Sequence, residues 1–352
     1  MKKGLLLRQQ VPIDKDRITF NSFSEIDDMW IWLFYMLSRK LNFNSSEIWI
    51  WGSGSRKVQY SSNFLEYWYP NFFNAISDAQ SRNFEPDFIF SRGGFTQYIP
   101  VMQKYVGAFK LYYAAIHKPR INPKTVGDLT DYNLILADSQ IQYNQLSESG
   151  FEVHKFLKPA CEQMFNPVIN DNPEYDIVFM SNTPHQKARK GHKFLFEQLS
   201  GTNLSLLVIG IIDDEILGYA KQYGINVHFT NEVRRKEIKY LACKAKIGVC
   251  CSLQDSCPRV IPEMLAMNIP IVVRKADNLF IWDDYFKDGY AALVEDDKFL
   301  DTVRHYVDNY GDLKKDNGVA DFYLSNFSLE ISSMRLAEDI KKIARQVRPP
   351  LA

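Results

Sequence analysis

At 352 residues the chain is long enough for two domains, each with its own core. Hydrophobic residues make up 46% and charged residues 24%, the balance of an ordinary globular protein. Lys+Arg and Asp+Glu both number 42, so the net charge is zero, and the basic excess that a broad nucleic-acid-binding surface needs is missing.

The start, MKKGLLLRQQ, carries a three-leucine run, too short for a signal peptide; it reads as a first strand over residues 4–7. Residues 12–19 read as loop. Residues 21–24 offer N-cap side chains for a helix over 25–41, where Ile26, Met29, Trp30, Leu33, Phe34 and Leu37 recur at helical spacing. Residues 47–51 (EIWIW) read as a strand, GSGS after it as a turn, and 64–79 as an aromatic-rich helix. Short strands follow at 88–90, at 109–115 leading to His117, at 134–137 leading to Asp138-Ser139, and at 153–157. Strands alternating with helices point to an α/β domain with a parallel sheet. Residues 159–175 are polar, with three prolines and several asparagines, and mark a domain boundary.

A second series then begins. Strands are expected at 176–180, 204–209, 227–229, 247–251, 269–273 and 291–294. Helices are expected at 193–199, 213–223, 234–245, 258–267 and 300–310, with a long final helix over 329–347. Neither a solenoid repeat nor a low-complexity tract is present. The domains are expected at residues 1–160 and 161–328, with 329–352 as a C-terminal helix.

Five cysteines (Cys161, Cys243, Cys250, Cys251, Cys257) form no CxxC pair and read as small buried hydrophobes in a reducing compartment. No apolar run reaches the length of a membrane-spanning helix. The chain is expected to be cytoplasmic, with peripheral membrane contact left open, as is the choice between monomer and homodimer.

The stretch IGVCCSLQDSCPRVIPEMLAMNIPIVV (247–273) reads as strand, polar loop, helix and strand, a βαβ unit. Its loop carries Asp255, and Glu263 follows eight residues later. Such loops lie at the carboxyl ends of parallel strands, where ligands bind. A carboxylate there can accept two hydrogen bonds from a ribose diol. Alternatively, Glu263 is a solvated first-turn acid favoured by the helix dipole, and Asp255 is a turn residue.

D255-SCPRVIP-E263-MLAMNIPIVV resembles the signature of the retaining, two-Rossmann-domain (GT-B) glycosyltransferases that use nucleotide sugars, the glycosyl transferases group 1. The family's first acid is usually Glu; here it is Asp255. The segment DIVFMSNTPHQKARKGHKFLFEQL resembles the family's strand, basic loop and Lys-Gly helix start, with Lys190-Gly191 in those places. The family's preceding Arg falls at His185, so Arg189 or Lys187 stands in for it. VHFTNEV (227–233) resembles the family segment whose backbone holds the base, with Asn231 replacing a Gly. KLYYAAIHKPR resembles the strand ending in a His at the cleft, which makes His117 a candidate. The family's Gly-rich loop after the first strand is missing from residues 11–24.

The resemblance implies two Rossmann-like domains with parallel sheets facing across a cleft and a C-terminal helix crossing back to the first. It implies a UDP- or GDP-sugar donor, a glycan or lipid-linked acceptor, and retention without a metal. Glu263, Lys190, Arg189, Gly191, Ser256, Pro258, Arg259 and Asn231 would bind the donor. Asp255 and His117 would serve catalysis. A metal-binding DxD pattern does not stand out: Asp213-Asp214, Asp283-Asp284 and Asp296-Asp297 read as turns or caps. A non-hydrolysing sugar-nucleotide epimerase and a catalytically degenerate sugar-nucleotide-binding protein are the rival readings. The aromatic-rich first half, with Trp30, Trp32, Trp49, Trp51 and Trp68, would fill a core or stack on sugar rings.

Overall fold

A computed structural model describes residues 2–9, 26, 28–52, 55–92, 95–113, 129–168, 172–181, 187–230, 233–255 and 257–347. The chain divides into two compact units, Met1–Phe156 with Leu329–Ala352, and Leu157–Ser328.

The first unit is built on an eight-stranded sheet. Its strands are β1 (Lys3–Gln9), β2 (Ser45–Trp51), β3 (Arg56–Ser61), β4 (Phe64–Tyr69), β5 (Phe88–Arg92), β6 (Phe109–Tyr113), β7 (Leu134–Ala137) and β8 (Val153–Lys155). Their order is β3-β4-β2-β1-β5-β6-β7-β8. All pair in parallel except β3, which runs antiparallel to β4 at the edge. The central strands read as unbroken apolar runs because helices cover both faces: Leu5, Leu6 and Leu7 of β1 are fully buried. The edge strand β3 instead alternates half-buried with exposed residues, placing Lys57 and Gln59 toward water and blunting the edge.

Residues 64–79, expected as one helix, are strand β4 followed by the helix Phe72–Ser81. Pro70 disfavours helical backbone at Tyr69, and Asn71 caps the new helix by accepting from the Asn74 N–H at 2.9 Å. The tryptophans serve the core. Trp30, Trp49 and Trp68 are buried, and Trp30 packs between Tyr113 and Phe156 at centroid distances of 4.2 and 5.6 Å. Buried acids satisfy two of the indole N–H groups: Trp49 donates to Glu47 and Trp68 to Glu66, each at 2.7 Å.

The C-terminal helix, Leu329–Val347, belongs to the first unit and packs on the helix Met29–Lys40. Leu336, Ala337 and Ile340 form its buried stripe. His154 in β8 meets Asp339 at 2.7 Å, and Lys40 pairs with Glu330.

The second unit holds β9 (Tyr175–Met180), β10 (Leu206–Ile209), β11 (Val227–Thr230), β12 (Ala245–Cys250), β14 (Ile271–Arg274) and β16 (Ala291–Val294), all parallel, in the order β11-β10-β9-β12-β14-β16. Two short strands, β13 (Gln254–Asp255) and β15 (Asn278–Leu279), pair beside it. Gly248 lets the helix Val260–Ala266 lie close on β12: an added Cβ would meet Met264 Sδ at 3.0 Å. The acid pairs have structural roles here. Asp213 caps the helix Asp214–Tyr223, Asp283-Asp284 open a 3₁₀ turn, and Asp296 takes a two-pronged hydrogen bond from Arg274. The expected helix over 234–245 is a 3₁₀ turn (Arg235–Glu237) and one short helix (Ile238–Ala242), and Gly318–Asn326 adds a helix that periodicity did not show. Among the described residues no helix is long and apolar enough to cross a membrane.

Leu336 is fully buried on the C-terminal helix. Leu336→Ala is expected to cost about 2–5 kcal/mol in denaturant unfolding, whereas Asp339→Ala, whose side chain is half exposed, should cost ~1 kcal/mol or less.

Candidate functional site

From β9 the chain of the second unit winds outward through β10 and β11. It then returns to the other side of β9 as β12. The sheet order therefore reverses between β9 and β12, and the crevice outside their carboxyl ends is the topological switch point where open α/β sheets bind ligands. The β9 loop delivers Lys190; the β12 loop delivers Asp255.

A backbone contact joins these two loops. Gly191 follows the short helix Lys187–Lys190 and precedes the helix His192–Leu199. Its φ is +75°, in the left-handed region, and an ideal Cβ there would lie 2.1 Å from the Cys251 carbonyl oxygen. Only glycine fits such backbone at that distance. Next to it the Leu253 N–H donates to the Arg189 carbonyl at 2.7 Å. Lys190 Nζ then stands 3.6 Å from Asp255 Oδ2, both side chains mostly buried. Asp255 Oδ1 accepts from the Cys257 N–H at 3.4 Å, and its carbonyl accepts from the Phe280 N–H. Asp255 is thus both a turn residue and an ion-pair partner.

Glu263 lies on the helix Val260–Ala266 and pairs with Arg235 at 3.6 Å. Lys158, itself buried, donates to the Cys257 carbonyl at 3.5 Å. Burial raises the pKa of the Glu263 carboxyl, against the opposing fields of Arg259, Arg235, Lys190 and Lys158 in that order. Lys190 thus pairs with Asp255 and Arg235 with Glu263, while Arg259 and Lys158 add positive charge that acts on Glu263. Ser181, at the carboxyl end of β9, adds a buried hydroxyl without a hydrogen-bond partner among the described residues.

Of the residues expected from the sequence, the structure brings together Lys190, Gly191, Asp255 and Glu263. Pro258 is buried beside them, Arg259 is exposed at the start of the helix carrying Glu263, and Arg189 contributes its carbonyl. His117, His185, Asn231 and Ser256 lie outside the described residues, as does the side chain of Lys187. Sequence reasoning missed Arg235 and Lys158. Arg235 sits in the basic run Arg234-Arg235-Lys236, and only the 3₁₀ turn selects which member faces inward. Lys158 sits in a segment read as linker.

A carboxyl whose pKa is raised on folding binds its proton more tightly folded than unfolded, so it costs stability once the pH passes the ordinary value of 4.5. Glu263→Gln removes that cost. The variant is expected to melt at a higher temperature than the wild type at neutral pH, with the two converging as the pH falls below the ordinary carboxyl range. A variant melting at or below the wild-type temperature at neutral pH contradicts this.

Residues 174–309 match the sequence model of the family described as "Glycosyl transferases group 1". No curated protein matches the chain. Among solved structures, sucrose-phosphate synthase from Thermosynechococcus elongatus superposes with a TM-score of 0.69 at 12% identity, covering 98% of this chain and 100% of that one. A glycosyltransferase from Rickettsia africae gives 0.70 at 14% identity, covering 98% and 99%. Anabaena Alr3699/HepE, solved in complex with UDP and glucose, gives 0.67 at 11% identity, covering 97% and 100%. The chain thus has the GT-B fold of these proteins, and over residues 174–309 it resembles the glycosyl transferases group 1.

Proposed function

We propose that the protein transfers a sugar from a nucleotide-sugar donor to a glycan or lipid-linked acceptor, with retention of anomeric configuration and without a metal. The observation that carries this reading is the charge cluster at the switch point of the second unit, where Lys190 and Arg235 pair with Asp255 and Glu263 while Arg259 and Lys158 bring further positive charge to bear on Glu263. A nucleoside diphosphate supplies the negative charge that such a site lacks, and a protein of the same fold was solved with UDP and glucose.

In this reading the diphosphate lies against Lys190 and the start of the helix His192–Leu199, whose N-cap Gly191 offers no capping side chain. Arg189, Ser256, Pro258 and Arg259 complete the donor surface. Glu263 accepts hydrogen bonds from the ribose diol. The base lies along residues 227–233, including Asn231. The bond from the anomeric carbon to the diphosphate oxygen breaks, and its electron pair leaves with the diphosphate. Positive charge builds on the sugar ring, as in glycoside hydrolysis. The acceptor hydroxyl oxygen forms the new bond, and its proton passes to the departing diphosphate. Lys190 stabilises the charge on the departing diphosphate, in place of a metal. Asp255 sits near the transferred sugar, with His117 as the second catalytic candidate.

The test is calorimetric titration of the chain with UDP and with GDP, followed by product analysis by NMR with each sugar nucleotide. Charge-assisted hydrogen bonds contribute about 1.5–3 kcal/mol, so Lys190→Ala should weaken nucleotide binding roughly 10- to 100-fold. Unchanged affinity and turnover in that variant would remove Lys190 from the site. Acceptor-independent conversion of the donor into its epimer would identify an epimerase instead, and binding with no turnover at all a degenerate member.

A further inference from the structure

As a carboxylate, Glu263 can accept from both hydroxyls of a ribose diol, and burial works against that form. Nearby cations and hydrogen-bond donors are what keep a buried carboxyl ionised. The four cations that face it are not equivalent. Arg259 exerts the strongest opposing field but is exposed, where salt screens it. Lys190 is engaged with Asp255, and Lys158 with the Cys257 carbonyl. Arg235 alone forms an ion pair with Glu263 among the described residues, at 3.6 Å and with both side chains largely withdrawn from water. Its guanidinium is held in place by a second contact: it lies over the ring of the buried Phe165, 5.7 Å from the centroid. Its two neighbours in the run, Arg234 and Lys236, are exposed.

We propose that Arg235 is a positioning residue that keeps Glu263 ionised and aimed for the nucleotide ribose. This rests on the reading of the second unit as a nucleoside diphosphate site. A guanidinium remains protonated throughout the accessible pH range, so the pair does not switch off as Arg235 titrates. The single contact at 3.6 Å places that fixed charge beside the carboxylate.

The role differs from that of Lys190 in its pH signature. Losing a residue that binds phosphate directly weakens nucleotide affinity at least as much at high pH, where the terminal phosphate is fully ionised, as at low pH. A residue that keeps Glu263 ionised matters most at low pH, where without it the carboxyl takes up a proton, and least at high pH, where the carboxyl ionises regardless. Two measurements on the full chain test this. In the first, the Glu263 carboxyl is titrated by carbon-13 NMR of glutamate-labelled protein and assigned by its loss in Glu263→Gln. In the second, UDP and GDP are titrated calorimetrically from about pH 5.5 to 9 into the wild type, Arg235→Met and Arg235→Lys.

Arg235→Met, which keeps an unbranched stem but removes the guanidinium, should move the Glu263 midpoint upward. It should also weaken binding about tenfold near pH 6, with the deficit closing toward pH 9. Arg235→Lys keeps the charge and should follow the wild-type pH profile with a smaller, pH-independent loss. An unmoved Glu263 midpoint in Arg235→Met overturns the proposal without reference to any ligand. A deficit that is constant with pH, or no deficit, overturns it while leaving the nucleotide site standing. A wild-type chain that binds neither nucleotide overturns the underlying reading, and this role with it.

Discussion

The second unit depends on one close approach, that of Gly191 to the carbonyl of Cys251. An ideal Cβ at residue 191 would lie 2.1 Å from that oxygen, and the backbone there is already left-handed. With the Leu253–Arg189 hydrogen bond beside it, this contact makes the loops after β9 and β12 one surface. The Lys190–Asp255 ion pair is a consequence, not the cause. A mostly buried pair at 3.6 Å gains little net stability once its desolvation is set against it, too little to hold two loops in register. A glycine that admits the carbonyl, on a sheet that places β9 beside β12, decides where the charges meet.

What meets there is poorly suited to stability and well suited to an anion. Glu263 is buried far enough that desolvation outweighs the pull of four cations. Two of those cations, Lys190 and Arg235, pair with Asp255 and Glu263, and Arg259 and Lys158 act on Glu263 besides. Interiors that serve only the fold pair their charges, as Asp176 does with Lys246 and Ser205 at the opposite end of β9. The imbalance at the switch point is the kind found where a ligand completes the set.

The parts of this arrangement were unevenly legible in the sequence. Short apolar runs marked most of the parallel strands of the second unit, because strands covered on both faces have no polar side to alternate with. The helix Val260–Ala266 and the Lys190-Gly191 pair could be placed from spacing and from the family signature. The single helix expected over residues 64–79 failed for a different reason: aromatic density masked the break that Pro70 and Asn71 announce. Arg235 could not be chosen from its basic run, because a 3₁₀ turn and the ring of Phe165 decide which side chain turns inward. Lys158 reaches the Cys257 carbonyl across a sequence distance of 99 residues, and no local pattern encodes that. The tryptophans of the first half were legible as apolar mass, but only the structure shows Trp30, Trp49 and Trp68 buried in the core.

Whether the loops after β9 and β12 hold a nucleoside diphosphate is tested most directly by crystals of the full chain soaked with UDP, and separately with GDP. A diphosphate oxygen is expected within about 3 Å of Lys190 Nζ, with the ribose hydroxyls on the Glu263 carboxylate. Nucleotide bound elsewhere, with the Lys190–Asp255 and Arg235–Glu263 pairs undisturbed and their surroundings empty, would contradict it.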